Sequence, residues 1–246
     1  MNLEELQKDW ERLGREDPMW AVLSSPEKRG NKWDERDFFK SGREEIAAVL
    51  AEVSSVGRTL QAGTALDFGC GVGRLTQALA GRFEQVHGLD ISPSMLEKAN
   101  HYNQHGDKCR YHLNASADLR CFPDHTFDFV YSVLVLQHIP VRYELAYIRE
   151  FIRVVKPGGV VVFQVLEPAF LRRLAPEMLV RIYRRWQNLL ISLYGVSEGR
   201  ATRAVQEAGG EILRVHRKGS GSSRWQSLRF FVTKADPKGH SIPNPE

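Results

Sequence analysis

The sequence has little cysteine, no long apolar run and no repeat, and each absence removes a class of protein. Its three cysteines, Cys70, Cys109 and Cys121, are odd in number and include no Cys-x-x-Cys. That argues against a disulfide framework and against a zinc site, so no metal is expected. No stretch approaches the roughly 20 apolar residues of a membrane span. The opening Met1-Asn2-Leu3-Glu4-Glu5-Leu6 is acidic and unlike a signal peptide, which with reduced thiols makes the cytoplasm the expected address. Repeat architectures are excluded by the lack of internal periodicity.

What is present is an ordinary globular composition, 42% apolar and 26% charged, in a chain long enough to bury a substantial core. The net charge of +4 is uneven: residues 1–50 carry 9 Lys/Arg against 12 Asp/Glu, residues 51–167 carry 11 against 12, and the remainder carries 14 against 6. An excess confined to the last third reads as attraction for an acidic group on a substrate or partner, or as a solvated basic face.

Residues 1–58 read as a helical prelude. A helix covers Leu3–Leu13, a Trp- and turn-rich stretch follows, and a second helix starts at Ser41, where Ser41 and Glu44 have capping-box spacing. Over 59–166 short apolar runs alternate with helical periods. Strands are predicted near 64–68, 85–90, 109–113, 127–133 and 160–166, and helices near 73–82, 93–103 and 141–155, the second opened by Ser92 and Pro93. Such alternation specifies an α/β fold with a doubly wound, mostly parallel sheet. Residues 167–197 read as a helical insertion after the fifth strand, running to about Tyr194. Residues 198–236 give a helix over 198–208 and a hairpin with strands near 211–217 and 225–234, for seven strands in all. Residues 237–246 read as a loose tail. The whole, 1–246, reads as one domain.

The strand Thr64-Ala65-Leu66-Asp67-Phe68 runs directly into Gly69-Cys70-Gly71-Val72-Gly73 and then a helix. A glycine-rich turn of this kind lets a ligand approach the backbone closely. A dinucleotide fingerprint needs Gly-x-Gly-x-x-Gly, but here the glycines fall at 69, 71 and 73 with Arg74 next. Asp67 at the strand end suits a cationic amino-acid moiety better than a pyrophosphate, and serves equally as a fold-stabilising carboxylate.

Asp67-x-Gly69-x-Gly71-x-Gly73 resembles motif I of the class I S-adenosylmethionine-dependent methyltransferases, among them the small-molecule methyltransferases of ubiquinone and menaquinone biosynthesis. The resemblance continues through His87-Gly88-Leu89-Asp90-Ile91, Ala117-Asp118-Leu119, Phe127-Asp128-Phe129-Val130-Tyr131-Ser132 and Lys156-Pro157-Gly158-Gly159, covering about residues 60–166 in order. It implies a Rossmann-like fold and S-adenosylmethionine as cofactor. It further implies that Asp90 accepts hydrogen bonds from the ribose hydroxyls, that Ile91 and Met95 lie against adenine, and that Ala117, Asp118 and Leu119 read the base edge. The register of that last segment is set against Asn114, which stands roughly where many relatives place the acid. Cys70 is expected to pack as a small side chain, and Asp90 alternatively caps the Ser92 helix.

In an open parallel sheet the ligand crevice lies beyond the carboxyl ends of the strands. Val133 and the following Gln137 and His138 are therefore expected to face the transferred methyl. His138 is the candidate general base, with lining the pocket or packing at a helix start as alternatives, and Gln137 orients a hydroxyl or the cofactor. Trp33 to Arg43 is the expected lid, with Trp33 and Phe38 near the sulfonium and Arg43 on the cofactor carboxylate, or an amphipathic helix packed on the sheet. Phe170 to Tyr194 forms a basic amphipathic helix suited to capping an acceptor pocket, to dimerisation, or to weak contact with a membrane surface. The expected acceptor is a small, apolar molecule bearing an acidic group, methylated at oxygen, by a monomer or homodimer. An RNA or protein methyltransferase and a non-catalytic cofactor-binding module are the competing readings. No nucleic acid is expected, since the chain has neither an Asn/Asp-Pro-Pro-aromatic motif nor a Pro-Cys nucleophile motif.

Overall fold

A computed structural model describes residues 1–168, 192–219 and 225–235. Seven strands form one sheet: β1 (Thr64–Phe68), β2 (Gln85–Asp90), β3 (Cys109–Leu113), β4 (Phe127–Ser132), β5 (Val155–Pro168), β6 (Gly210–Gly219) and β7 (Trp225–Lys234). Their order is β3-β2-β1-β4-β5-β7-β6. The first five run parallel, and β7 is antiparallel to both β5 and β6. This is the expected Rossmann-like sheet with its closing hairpin.

Alternation along the strands serves two cores. Leu66, Val130, Val161 and Phe163 face a cluster built with α6 (Val141–Val154) and α7 (Glu198–Glu207). Ala65, Phe129, Tyr131, Val160 and Val162 face the other, built with α3 (Glu35–Ser55) and α4 (Arg74–Leu79). Every residue of β4 is buried, as a central strand covered on both faces requires. Between β1 and β4 the strand order reverses, so the crevice at their carboxyl ends is the topological switch point.

Several boundaries differ from the sequence reading. The helix placed at Ser41 begins at Glu35, capped by Asp34, whose Oδ1 accepts the Asp37 amide (3.0 Å). Asp34 is an equally good N-cap that comes earlier in the chain, so Ser41 falls inside the helix and its hydroxyl donates to the Phe38 carbonyl (2.6 Å). α4 is shorter than 73–82 because turns over 80–82 follow it. β5 starts at Val155, not 160: Val155 pairs with Phe127, and the register shifts across Lys156 to Gly159 before Val160 pairs with Phe129. Residues 192–197 are not helical, so the expected helix does not reach Tyr194. The rest of that helix, from Phe170, the Gly/Ser loop residues 220–224 and the tail from 237 lie outside the described residues.

The prelude consists of α1 (Leu3–Glu16), α2 (Pro18–Val22) and α3. α1 opens with a full capping box, the Glu5 amide donating to Asn2 Oδ1 (2.8 Å) and the Asn2 amide to Glu5 Oε2 (2.9 Å). It docks on α5 (Pro93–Tyr102) through Glu11, whose Oε2 accepts from the Ser94 amide (2.9 Å) and the Ser92 hydroxyl (2.8 Å). Burial alone would raise the Glu11 carboxyl, but the hydrogen bonds from Ser94, Ser92 and Arg15 outweigh it and hold it down at about 2. No helix among the described residues is long and apolar enough to cross a membrane.

Candidate active site

At the switch point the chain must turn from β1 into α4 within five residues, and it does so through left-handed backbone at Gly69 (φ +76°) and Gly71 (φ +53°). A Cβ at Gly71 would run into the Val22 side chain of α2, and one at Gly69 into Val135. The turn is thus pressed between prelude and sheet. It is fastened to the end of β2: the Gly69 and Cys70 amides both donate to the Leu89 carbonyl (2.7 and 3.0 Å), and the Gly71 amide donates to Asp90 Oδ2 (2.8 Å). Asp90 Oδ1 accepts the Ser92 amide (2.9 Å). Asp90 therefore both braces the glycine turn and opens α5. Burial pushes its carboxyl up, against the pull of those amide donors.

Turn, β2 end and prelude line one partly open, largely apolar cavity, the kind of concave site that small molecules occupy. Of the residues picked out in the sequence, Gly69, Cys70, Gly71, Asp90, Ile91, Met95 and Val133 line it. Others stand elsewhere. Asp67 is buried behind the turn, where its Oδ2 accepts from the Thr76 hydroxyl (2.7 Å) and burial raises its carboxyl to about 6. Gly73 (φ +83°) forms the helix start beneath Tyr111. Asp118 pairs with Arg120 (3.1 Å), Ala117 is half-buried off the wall, and the Leu119 amide is already given to Glu150 Oε2 (2.7 Å). Asn114 lines the cavity in their stead, its side chain fixed between the Asp118 carbonyl (3.1 Å) and the Ser116 amide (3.1 Å).

The expected lid is displaced by one helix pair. Trp33 packs edge-on to Phe38 with its Nε1 on the Leu23 carbonyl (3.1 Å), and Arg43 is exposed on the far side of α3. The cavity is covered instead by Leu3, Leu6 and Trp10 of α1 and by Ala21 and Val22. Gln7 ties α1 to the β2 end, donating to the Ile91 carbonyl (2.9 Å). Leu3, Leu6 and Trp10 repeat at helical spacing in an otherwise charged segment, a signal available in the sequence. Arg74 is a further wall residue. A cation in the first turn of a helix opposes the helix dipole, and that misfit was its signal. Leu134 also lines the cavity, at φ +62°, a conformation that costs a branched side chain of order 1 kcal/mol.

His138 and Gln137 lie in a single helical turn, Leu136–His138, after β4. Neither lines the main cavity. His138 Nδ1 lies 3.0 Å from the Ser192 carbonyl, which only accepts, so Nδ1 carries the proton and Nε2 accepts from the Gln137 side-chain amide (3.1 Å). The Gln137 carbonyl oxygen accepts in turn from Gln164 (3.3 Å). Trp10 packs edge-on against the imidazole (5.2 Å). Burial lowers the His138 pKa to about 4, leaving a neutral ring with both nitrogens engaged. Among the described residues the ionisable groups on the cavity wall are Cys70, Arg74, Asp90 and Tyr147. Burial pushes the Cys70 thiol and the Tyr147 phenol up, so neither ionises near neutral pH. No group of side chains able to hold a metal ion occurs among the described residues.

A parallel sheet reversing at β1/β4, a glycine turn there and an acid ending the next strand define a Rossmann-like fold with its crevice at the switch point. Residues 66–163 match the family model described as a methyltransferase domain. Demethylmenaquinone methyltransferase of Bacillus licheniformis is 39% identical over 102 residues, 40% of this chain and 43% of that protein. A ubiquinone biosynthesis O-methyltransferase of Thiobacillus denitrificans is 32% identical over 135 residues, 54% of this chain and 57% of its own. The chain thus spans about half the length of the curated relatives it matches. Among solved structures, magnesium protoporphyrin IX methyltransferase from Synechocystis, with S-adenosylhomocysteine bound, superposes with a TM-score of 0.65 at 18% identity, covering 95% of this chain and 99% of that one. That likeness establishes the shared fold.

Proposed function

We propose that the chain is an S-adenosylmethionine-dependent methyltransferase that carries the methyl group to an oxygen of a small-molecule acceptor. The observation that carries the reading is the junction of glycine turn and Asp90 on the wall of one largely apolar cavity, inside a methyltransferase domain. S-adenosylhomocysteine in the superposed structure and the quinone-pathway names of the relatives support the cofactor and the acceptor class. The residues present fit the cofactor. Turn backbone without side chains admits it, and Asp90 retains lone pairs beyond those taken by the Gly71 and Ser92 amides for the ribose hydroxyls. Leu89, Ile91 and Met95 offer an apolar face to adenine, with Asn114 at its edge.

When bound, S-adenosylmethionine supplies an electrophilic methyl on a positively charged sulfur. The chain's task is then alignment and exclusion of water, which α1 performs by closing Leu3, Leu6 and Trp10 over the crevice. Asp67 acts as a brace through Thr76. His138 and Gln137 act as positioning residues, locking the segment after β4 to Ser192 and Gln164 rather than removing a proton. No described wall residue is placed in this reading as a proton acceptor for the substrate, which favours a phenolic or similarly acidic hydroxyl. The same reading takes 1–246 as one domain, acting as monomer or homodimer, because prelude and core wall a single cavity.

The test is transfer of labelled methyl from S-adenosylmethionine to a series of phenols and quinols of graded acidity. Rates that rise with the acidity of the hydroxyl are expected. No product from any acceptor, despite saturable cofactor binding, would overturn the catalytic reading in favour of a binding module.

A further inference from the structure

Between α3, α4 and the segment after α5 lies a second, partly open hollow of about 350 Å³, which shares only Arg74 with the first. Arg36, Phe39 and Arg43 reach it from one face of α3, Arg74 and Gln77 from one face of α4, and Gln104 closes it.

Two donors here are buried and idle. Gln77 is 9% exposed, and its Oε1 accepts the Gln104 amide (3.1 Å). That bond fixes which way the side-chain amide points, and leaves Nε2 as a donor with no acceptor. Arg74 is 2% exposed; one terminal nitrogen donates to the Ser41 hydroxyl (3.2 Å) and the other meets Glu45 (3.5 Å), while Nε has no partner. Buried donors without acceptors are costly, and both sit on the wall of the same hollow.

The charge balance points the same way. Of the acids of α3 nearest in sequence, Glu44 is taken by Lys40 (3.7 Å), and Glu45 is shared between Arg74 (3.5 Å) and Arg229 (2.9 Å), which leaves Arg36 and Arg43 uncompensated by either. Among the described residues Arg36 and Arg43 form no ion pair, and Glu35 is the one acid on this wall. The arrangement is net positive and rich in donors, which suits a ligand that accepts.

We propose that this hollow seats the phosphate group of a small molecule, gripped by Arg36 and Arg43 and by the idle N–H groups of Arg74 and Gln77. Donors converging from two helices suit the tetrahedral array of phosphate oxygens better than the two coplanar oxygens of a carboxylate. Arg74 lines both hollows, but phosphate binding is read without S-adenosylmethionine present, so the proposal is tested separately from the methyl-transfer reading.

The full-length protein is titrated with inorganic phosphate at constant ionic strength, followed by calorimetry and by the amide shifts of Gln77 and Gln104. Saturable binding is expected, weakened at least about tenfold in Arg43→Ala and in Gln77→Leu, as loss of one charge-assisted or buried hydrogen bond predicts, and abolished in the Arg36→Ala/Arg43→Ala double variant. Both arginines are exposed, so an unchanged thermal midpoint shows that the double variant folds. Absence of saturable binding, or binding that survives the double variant, overturns the proposal. Acetate binding as tightly as phosphate overturns it too, by making the hollow a carboxylate seat.

Discussion

Replacing His138 with alanine separates two roles that the sequence left together, proton acceptor and structural tie. Burial takes the imidazole from its ordinary 6.5 to about 4. At about 1.4 kcal/mol per pH unit, the folded protein holds a proton there about 3 kcal/mol less well than a free histidine. A base so weakened captures little from a hydroxyl at neutral pH, and its Nε2 lone pair is already given to Gln137. The sign of the stability effect follows. With the folded value below the unfolded one, the contribution is fully present above about pH 6.5 and is lost as pH falls through about 4. Between pH 7.5 and 5 the wild type should lose about 2 kcal/mol that His138→Ala does not lose. The alanine variant should itself be less stable at pH 7.5 by about 1–3 kcal/mol, for two lost hydrogen bonds and the Trp10 contact. Urea unfolding at the two pH values measures both quantities. In the methyl-transfer assay between pH 5 and 9, the profile of kcat/KM should keep its shape in the variant. An inflection between pH 6 and 7 that disappears in His138→Ala, with KM for S-adenosylmethionine unchanged, would refute the positioning role and restore the base.

Three further outcomes follow from the same geometry. Asp90→Asn offers one acceptor where the Gly71 and Ser92 amides use two, and should weaken S-adenosylhomocysteine by about 1–3 kcal/mol; calorimetric affinity within twofold of wild type contradicts the brace. Gly71→Ala meets both the left-handed backbone, about 1–2 kcal/mol, and the Val22 side chain, so its thermal midpoint should fall and Val22→Ala should recover part of the loss; no recovery means that prelude and turn do not touch. Glu144 is fully buried with neither oxygen bonded, and burial lifts its carboxyl from 4.5 to about 8. Its cost to the folded state therefore grows as pH rises through that window. Glu144→Gln should gain over wild type at pH 8.5 relative to pH 5, and a gap that stays constant with pH contradicts the assignment.

The parts legible in the sequence were those fixed by backbone chemistry over a few residues. Gly69 and Gly71 announce left-handed turns, and Ser92 with Pro93 announces a helix start, because those side chains are selected by local geometry alone. Ser41 misled for the same reason. It has capping chemistry, but Asp34 has it too and starts the helix earlier, and Arg43 then lines the outer hollow and not the cofactor crevice. The lid was not legible because it is made by contacts between distant residues. Glu11 finds Ser94 across 83 residues of chain, and nothing near Leu3 or Trp10 says which groove their stripe will fill. The same holds for Asn114, whose place on the wall depends on where Leu119 spends its amide.

The central claim is that the crevice between the glycine turn and α1 holds S-adenosylmethionine, and mapping the binding of S-adenosylhomocysteine by amide chemical shifts tests it most directly. Saturable shifts are predicted at Gly69 to Gly73, at Asp90 to Met95, at Asn114 and along α1, with none produced by a nicotinamide dinucleotide. No saturable shift with S-adenosylhomocysteine, or shifts confined to residues outside this crevice, would contradict the account.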